Sequence, residues 1–324
     1  MVKSSHLELS VVVPLHDEAE GLHAFHAELV KAVKLAVQNS YEIVYVDDGS
    51  SDGTAELVIG LAERDDSVRL LRLTRNFGKE NALSAGIAAA RGQAVLMLDG
   101  DGQHPPELIP DFVKAWRGGA QVVVGVRAKP MNRGWAKRAG SRLFYRLFNT
   151  FTDQKLLPGS SDYRLIDRPV RRAFLELGES DRITRGLIDW LGFRQELIAF
   201  EARPRNAGSE TYNKRGLVQH MARHFVSLSP RPLYIFGYLG VAITIFSFLL
   251  GSAVFIEQLL LSDPWHWNFT GTAMLGILIL FMVGIVLMSQ GILSLYISHI
   301  HAQAKGRPLY VIDYEGSIGI EDVG

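Results

Sequence analysis

The sequence predicts an α/β fold with a mostly parallel sheet, followed by two transmembrane helices. Three observations lead to this prediction. Hydrophobic residues make up 48% of the 324 residues and the mean hydropathy is +0.10, values that are high for a soluble α/β protein and indicate membrane segments. Short apolar runs alternate with helical stretches from Leu9 to Gly125. Two long segments nearer the C-terminus contain no charged residue.

Each short apolar run of the N-terminal part is predicted to be a strand, and each stretch between two runs a helix. The predicted strands are Leu9–Pro14, Glu42–Val46, Val68–Leu73, Ala94–Leu98 and Gln121–Gly125. The predicted helices are Glu18–Val37, Thr54–Arg64, Lys79–Arg91 and Pro106–Arg117. Continuous apolar strands that alternate with helices indicate a parallel sheet covered on both faces. Ligands of such folds bind at the carboxyl ends of the strands.

Residues 127–151 form a basic amphipathic stretch. Lys and Arg side chains alternate there with aromatic and leucine residues, and no acidic residue is present. This composition is typical of a helix at an anionic membrane surface. A solvated basic face on an ordinary domain helix has the same composition, and only the apolar segments downstream favour the membrane interpretation.

Two segments are long enough to cross a bilayer, Leu233–Ile256 and Thr272–Ile297. At the helical rise each would extend about 36–39 Å, against a hydrocarbon core of about 30 Å. Basic residues precede the first segment and follow the second, whereas the connector Ser262–Gly271 has no Lys or Arg. The positive-inside rule therefore predicts that both termini are cytoplasmic. The predicted organisation is a cytoplasmic domain over residues 1–228, a membrane domain over 229–300 and a cytoplasmic tail over 301–324.

The composition also excludes several classes of function. The formal net charge is zero, so nothing favours nucleic acid as a partner. The chain has no cysteine, which excludes disulfides, thiolate metal sites and cysteine nucleophiles.

Polar clusters follow the first two predicted strands. Pro14, His16 and Glu18 come directly after the first, and Asp47 and Asp48 come directly after the second, in the run DDGSSDGT. Asp-Gly-Ser and Asp-Gly-Thr are good turn and helix-cap sequences, so a purely structural role is one interpretation. Two adjacent aspartates exceed what a turn requires, and one of them is predicted to bind a base or ribose.

Two further clusters follow the third and fourth strands. Lys79 stands at a predicted helix start after Gly78, where a Gly-Lys pair helps to hold a diphosphate. Asp99 and Asp101 are two residues apart at a strand end, with Gln103 following. Such oxygen ligands suit Mg²⁺ or Mn²⁺ shared with phosphate oxygens. A calcium loop is rejected because its third acidic position and terminal Glu are missing.

These motifs together resemble those of glycosyltransferase family 2, which has the GT-A fold. The resemblance rests on VVVPLHDEAEGL, VDDGSSDGT, TRNFGKENALSAGI, LDGDGQHPPELIP and VGVR. SSDYRLIDR, ITRGLIDWLGFRQ and KGRPLYV extend it over nearly the whole chain. The polyprenyl-phosphate glycosyltransferases are the most similar group, namely the bactoprenol glucosyltransferases and the dolichyl-phosphate mannose synthases. The bactoprenol group fits best because it shares the FGKE-type loop, the WLGFRQ run and two spans.

The resemblance implies a role for each matching residue. The nucleotide-sugar pocket is expected to include Pro14, His16, Glu18, Asp47, Asp48, Lys79, Gly100, Arg205 and Lys214. Asp99, Asp101 and Gln103 are expected to hold the metal. Asp101, Arg127, Arg164 and Asp162 are the expected catalytic residues, with both arginines on phosphates. Arg205 and Lys214 are expected to lie in a loop that closes over the diphosphate.

The sequence departs from the family pattern at three places. The family usually has an aromatic residue and Asn where His16 and Asp17 stand, and Asp-Ala-Asp-Leu where Asp99–Gly102 stands. It often has Ser/Thr-Lys-Tyr near Ser209–Tyr212, where this chain reads Ser-Glu-Thr-Tyr. The glycines are expected to loosen the metal loop.

The expected reaction is inverting transfer of a hexose from a nucleotide sugar to polyprenyl phosphate at the inner membrane. UDP-glucose is the leading candidate for the donor, and Mg²⁺ or Mn²⁺ is the expected cofactor. Membrane lipids are expected to contact the protein. Homo-oligomerisation is a further expectation that stays open at this point. A hydroxyl-directed or polysaccharide-forming enzyme of the same fold is one alternative, with Asp162 as its evident base. An inactive membrane scaffold is another.

Overall fold

The computed structural model describes residues 7–128, 160–179, 182–201, 203, 249 and 271–320. The chain divides into two compact units. The first comprises Met1–Asn149, Gln154–Asn213 and Arg307–Gly324, and the second comprises Thr150–Asp153 and Lys214–Gly306.

A seven-stranded sheet forms the centre of the first unit. Its strands are β1 (Leu9–Leu15), β2 (Tyr41–Asp47), β3 (Val68–Arg72), β4 (Ala94–Met97), β5 (Val122–Arg127), β6 (Ser160–Asp167) and β7 (Gln195–Phe200). Their order across the sheet is β3-β2-β1-β4-β6-β5-β7. All neighbouring pairs are parallel except the two that involve β6. The prediction of a mostly parallel sheet is therefore confirmed.

Helices cover both faces of this sheet. They are α1 (Ala19–Val37), α2 (Thr54–Ala62), α3 (Lys79–Ala89), α4 (Ile109–Arg117, preceded by a 3-10 turn at Pro106–Leu108), α5 (Arg168–Leu175) and α6 (Thr184–Trp190). Apolar residues of α1, α2 and α4 pack on one face, and those of α3, α5 and α6 pack on the other. Strand residues alternate between the two cores, as Val11 and Val13 face the first and Val12 faces the second. This alternation explains why the strands read as continuous apolar runs.

The five strands and four helices predicted from the sequence are confirmed, with ends that differ by a few residues. Sequence patterning did not reveal β6, β7, α5 or α6. Strand β6 contains Ser160, Asp162 and Arg164 at every second position, so it lacks the continuous apolar run from which the first five strands were predicted. Its position between β4 and β5 depends on partners distant in the sequence, which periodicity does not encode.

The C-terminal tail lies against the outer edge of the sheet. Isolated antiparallel bridges join Ile318 to Leu70 and Ile312 to Leu73. The amides of Ile318 and Leu70 each donate to the other's carbonyl, at 2.8 and 3.1 Å. The sequence alone left open whether LYVIDY pairs with a neighbouring subunit or with its own domain. In the structure it pairs with β3 of its own chain, which covers part of an otherwise open strand edge.

The second unit contains a helix, α7 (Gly271–Ala304). The second predicted span, Thr272–Ile297, falls within it. Among the residues with described backbone and side chains, no helix meets the length and apolarity needed to cross a membrane. The first predicted span and nearly all of the basic stretch 127–151 lie outside the described residues. Both spans and the domain boundaries based on them therefore stay predictions.

Candidate active site

Those predicted site residues that the structure describes lie toward one edge of the sheet. Strands β1, β2 and β4 all end at this edge because they are parallel. Strand β6 runs the other way, pairing Met97 with Arg164, so its first residues reach the same edge. This is why Asp162 lies near Asp99 even though the two are far apart in the sequence. The single antiparallel strand therefore contributes a carboxylate to the edge where ligands bind.

Asp47 is a fully buried carboxylate with unsatisfied hydrogen-bonding capacity. Its side chain is 0% exposed, and Oδ1 accepts a hydrogen bond of 3.1 Å from the Ser50 amide. Oδ2 is buried without a hydrogen-bond partner, and its nearest cation is Arg72 Nε at 3.7 Å. A buried acceptor left unpaired is costly. This atom is therefore suited to accept a hydrogen bond from a bound ligand.

Asp48 has a structural role instead. Its two oxygens accept hydrogen bonds from the amides of Phe77 (2.7 Å) and Gly78 (2.8 Å). Burial raises the pKa of this carboxyl, and the two amides only partly offset that effect. The carboxylate thus fixes the loop that enters α3. Of the two adjacent aspartates, Asp47 is the one with an oxygen that has no hydrogen-bond partner.

Gly49 allows the loop after β2 to approach the loop after β3 closely. Its φ is +68° and an added Cβ would lie 2.6 Å from the backbone carbon of Arg75. A side chain there would meet backbone rather than a flexible neighbour, and the positive φ disfavours any other residue. The DDGS run therefore has two roles: its glycine permits the close packing of the two loops, and its aspartates supply the carboxylates.

Three loops meet where His16 lies. Its Nε2 is 2.9 Å from Asn76 Nδ2, and Asp17, at φ 53°, accepts a hydrogen bond of 2.8 Å from the Ser51 amide. The amide of Glu18 donates to Thr54 Oγ1 at 3.0 Å. These contacts join the loops after β1, β2 and β3. The unusual His16–Asp17 pair is thus accommodated by hydrogen bonds within the site.

The loop after β4 presents Asp99, Asp101 and Gln103 in a tight turn. The Gln103 amide donates to Asp101 Oδ1 at 3.0 Å, and Gly102 adopts a left-handed φ of +75°. Gly100 packs closely, because an added Cβ would lie 2.6 Å from Leu15 Cδ2. Gly100 packs against Leu15 and Gly102 suits the turn, while the expectation that these glycines loosen the loop stays a prediction.

His104 supports this loop from below and was missed by sequence reasoning. Its Nδ1 accepts a hydrogen bond of 3.1 Å from the Asp99 amide. The ring is 1% exposed and stacks on Tyr163, with centroids 5.2 Å apart. Burial lowers the pKa of this imidazole despite the raising effect of Asp99. A neutral ring with Nδ1 as acceptor therefore holds the Asp99 backbone in place.

Lys79 links two carboxylates of the site. Its Nζ lies 2.6 Å from Asp99 Oδ1 and 2.7 Å from Asp162 Oδ2. Partial desolvation lowers the pKa of the ammonium, but Asp99 and Asp162 outweigh this and hold the pKa above its usual value. Burial raises the pKa of Asp162. The positive charges of Lys79 and Arg185 outweigh this effect and hold the pKa well below its usual range. Lys79 therefore stays protonated and Asp162 stays ionised at neutral pH.

The two predicted phosphate-binding arginines lie in different surroundings. Arg127, at the end of β5, donates to Gln103 Oε1 at 3.2 Å and so reaches the loop after β4. Arg164 is 1% exposed, and its Nη1 and Nη2 bond the two oxygens of Asp189 at 2.6 and 3.2 Å. This arrangement favours a phosphate role for Arg127 and a structural role for Arg164.

Arg203 is a second residue that sequence reasoning missed. Its guanidinium bonds both oxygens of Glu107 at 2.9 Å and Glu28 at 2.7 Å, while its amide donates to the Gln103 carbonyl at 3.3 Å. These contacts therefore attach the segment after β7 beside the loop after β4. The predicted closing-loop residues Arg205 and Lys214 lie outside the described residues.

The donor set of the Asp99 loop fits a hard divalent cation, since it consists of carboxylate and amide oxygens. Within the described part of the chain, no group of three or more His, Asp or Glu side chains has the arrangement of a complete metal site. Phosphate oxygens of a nucleotide would have to complete the coordination. The cation contacting Asp99 in the structure is the Lys79 ammonium.

Comparison with known proteins adds an independent finding. The model of Glycosyl transferase family 2 matches residues 10–176. An uncharacterized glycosyltransferase of Synechocystis sp. is 35% identical over 94% of this chain and 95% of its own length. A bactoprenol glucosyl transferase of Shigella phage SfV is 33% identical over 95% of this chain and 99% of its own. Among solved structures, glucosyl-3-phosphoglycerate synthase from Mycobacterium tuberculosis is 18% identical with a TM-score of 0.46, over 68% of this chain and 78% of that chain.

Proposed function

The chain belongs to glycosyl transferase family 2, and we propose that it transfers a hexose from a UDP-sugar to polyprenyl phosphate. The acceptor and the preference for glucose are suggested by relatives named bactoprenol glucosyl transferase, which match 94–95% of this chain. We place the reaction at the cytoplasmic face of the inner membrane, because the basic residues flank the predicted spans on that side. The product would be a polyprenyl-phosphate sugar.

The observation that carries this choice of acceptor is the ion pair between Lys79 and Asp162. Transfer to a hydroxyl needs a general base, whereas a phosphate is already anionic near neutral pH. Asp162 is the evident base candidate, but its carboxylate is 2.7 Å from the Lys79 ammonium and its pKa is far below the usual range. A carboxylate with so low a pKa is a weak base. The site therefore suits an acceptor that has no proton to lose.

The nucleotide would be recognised by the pocket around Asp47. Its buried, unpaired Oδ2 needs a donor, and the N–H of a pyrimidine base is one. Arg72, whose Nε lies 3.7 Å from that oxygen, contributes a positive charge beside the carboxylate. The loop fixed by Asp48 would form the adjoining wall.

Asp99, Asp101 and Gln103 would hold Mg²⁺ or Mn²⁺ together with the donor diphosphate. The ion would stabilise negative charge on the departing nucleoside diphosphate. His104 holds the backbone of Asp99, and Arg127 would bind the acceptor phosphate from its position on Gln103. Direct attack of a phosphate oxygen on the anomeric carbon breaks the bond to the diphosphate in one displacement, which inverts the configuration.

A donor screen tests the proposal. The purified full-length protein would be placed in liposomes that contain undecaprenyl phosphate, with UDP- and GDP-sugars supplied one at a time. We expect a lipid product whose mass equals undecaprenyl phosphate plus one hexose, with UDP-glucose the best donor. Asp101→Asn is the matched control and is expected to lose at least about 100-fold of the rate.

Three outcomes would contradict the proposal or its metal assignment. A product that carries the sugar on a hydroxyl, or a polymer, would support the hydroxyl-directed alternative. The absence of both transfer and nucleotide-sugar hydrolysis with every donor would support the inactive scaffold. Near wild-type activity of Asp101→Asn with divalent ions present would exclude the metal assignment.

A further inference from the structure

The proposed function uses the contact of Lys79 with Asp162 but leaves its contact with Asp99 unexplained. It is the first residue of α3, and its ammonium contacts both Asp99 and Asp162. Each of these carboxylates has about one-fifth of its side chain exposed, 22% and 20%, whereas the Lys79 side chain is 41% exposed. The lysine therefore enters the site from the solvent side on a flexible stem. A cation in this position is able to move without unfolding of the core.

The contact with Asp99 conflicts with simple metal binding. A divalent ion coordinates a carboxylate oxygen at about 2.0–2.2 Å, and the ammonium already lies 2.6 Å from Asp99 Oδ1. Two cations on the same oxygen repel each other strongly at such distances. Metal binding at Asp99 therefore requires that Lys79 moves away from this oxygen. Asp162 offers the ammonium a second partner to keep.

We propose that Lys79 is a built-in counter-ion that competes with the divalent cation for Asp99, and thereby makes metal binding depend on the nucleotide. This inference rests on the metal role assigned to Asp99 above. Without a nucleotide, Lys79 neutralises part of the charge of Asp99 and Asp162, and the site attracts a divalent ion weakly. The diphosphate of the donor adds negative charge and oxygen ligands, so the site is then able to hold both the ion and the Lys79 ammonium. Lys79 acts here as a positioning residue.

The proposal differs from the sequence-based expectation for Lys79. The Gly-Lys pair at a helix start predicted direct binding of the diphosphate. In the structure the ammonium is directed to two carboxylates of the protein. Lys79 would therefore change how strongly metal binding and nucleotide binding depend on each other. By thermodynamic reciprocity, the metal would strengthen nucleotide binding by the same factor as the nucleotide strengthens metal binding.

Mn²⁺ titration followed by electron paramagnetic resonance tests this idea without any turnover. Full-length protein purified in detergent would be titrated with Mn²⁺, with and without UDP. We expect Lys79→Met to bind Mn²⁺ at least about tenfold more tightly than the wild type when UDP is absent, because a neighbouring positive charge is removed. We also expect UDP to increase Mn²⁺ affinity less in the variant than in the wild type.

Three further variants make the test specific. Lys79→Gln also removes the charge but keeps a hydrogen-bond donor, so it should behave like Lys79→Met even if the latter is unstable. Lys79→Arg keeps the charge and should retain the wild-type linkage. Lys114→Met removes an exposed lysine from α4 and should change neither Mn²⁺ affinity nor linkage. A merely structural role of Lys79 would lower the melting temperature of the neutral variants and leave the UDP dependence of Mn²⁺ binding unchanged.

The outcomes separate this inference from the proposed function. If both neutral variants bind Mn²⁺ as weakly as the wild type without UDP, Lys79 is not a competitor and the inference is wrong. The liposome transfer assay can still succeed in that case, since it measures the product of the wild-type enzyme. If the wild type binds no Mn²⁺ even with UDP, the metal role of Asp99 fails and the inference fails with it.

Discussion

Asp47 and Asp48 are neighbours in the sequence but make different contacts. Asp48 accepts two backbone hydrogen bonds from the loop before α3, whereas one oxygen of Asp47 is buried and unpaired. Asp47 is the last residue of β2 and Asp48 is the first residue after the strand, so two identical residues enter different surroundings. The sequence predicted that one of the pair binds the nucleotide, and the contacts favour Asp47.

We expect the substitutions Asp47→Asn and Asp48→Asn to separate binding from stability. Asp47→Asn keeps an acceptor for the Ser50 amide but replaces a charged acceptor, so UDP affinity should fall at least about tenfold with little change in melting temperature. Asp48→Asn places an amide donor against a backbone N–H, which should cost about 1–3 kcal/mol of unfolding free energy. Isothermal titration with UDP and thermal unfolding measure the two effects. Equal losses of stability in both variants would contradict this distinction.

Arg164 shows how a family-based expectation depends on partners that the sequence does not display. Its guanidinium is buried and bonds both oxygens of Asp189, which lies on α6. Removing one partner of a buried ion pair leaves an uncompensated charge and typically costs about 3–5 kcal/mol. The residue is therefore needed for the fold, whether or not it also approaches a phosphate.

We expect Asp189→Ala to destabilise the protein by about 3–5 kcal/mol, because it leaves the Arg164 guanidinium buried and unpaired. The measurement is chemical unfolding of the purified protein. Glu196→Ala on β7 is the matched control, since it also removes a carboxylate but from an exposed site. A loss of less than 1 kcal/mol in Asp189→Ala, similar to that of the control, would contradict the role of the pair.

The C-terminal tail makes several hydrogen bonds with the sheet of the first unit. Beside its bridges to β3, the carbonyl of Gly319 accepts hydrogen bonds from Arg69 Nε at 2.9 Å and Arg91 Nη2 at 3.1 Å. Arg69 is buried and also bonds Glu42 at 2.7 Å. The tail therefore completes the hydrogen bonds of a buried ion pair. It also supports Arg72, whose amide donates to Ser317 Oγ at 3.0 Å.

We expect Ile318→Pro to destabilise the catalytic unit, because it removes the N–H that donates to the Leu70 carbonyl. The unpaired carbonyl and the altered edge should together cost about 1–3 kcal/mol. Ile318→Val keeps the N–H and should cost about 1 kcal/mol or less. Thermal unfolding of the two variants measures the difference. If they have the same melting temperature, the bridges to β3 do not contribute to stability.

At the scale of the whole molecule, the two long apolar segments and the basic stretch predict attachment to a membrane. The acceptor proposed here is a lipid, which gives such attachment a chemical purpose. Because the chain lacks cysteine, single introduced cysteines allow the topology to be tested without background labelling.

We expect Asn268→Cys, in the predicted outer connector, to react with a membrane-impermeant maleimide in intact cells. Ala304→Cys, at the end of α7, should react only after the cells are permeabilised. The physical reason is the concentration of Lys and Arg on the cytoplasmic flanks. Labelling of Ala304→Cys in intact cells, or protection of Asn268→Cys, would contradict the predicted orientation.

We also expect the combined neutralisation of Arg133, Lys137, Arg138 and Arg142 to slow transfer to acceptor in bilayers with anionic lipid. Each basic residue near such a surface contributes about 1 kcal/mol of attraction. Transfer to a short-chain acceptor in detergent should be unaffected and is the control. Equal rates of variant and wild type on the bilayer would identify the stretch as an ordinary solvated surface.

The sequence by itself determined the alternation of the first five strands, the polar clusters at their ends and the membership of glycosyl transferase family 2. These features are local, because the apolar period and the motif spacing involve residues within a few positions of each other. Only the tertiary structure decided the antiparallel place of β6, the pairing of Lys79 with Asp162, 83 positions away, and the bond of Arg69 to Gly319, 250 positions away. The partner of a buried charge is selected by which strands and loops meet in space. No periodicity along the chain encodes that choice.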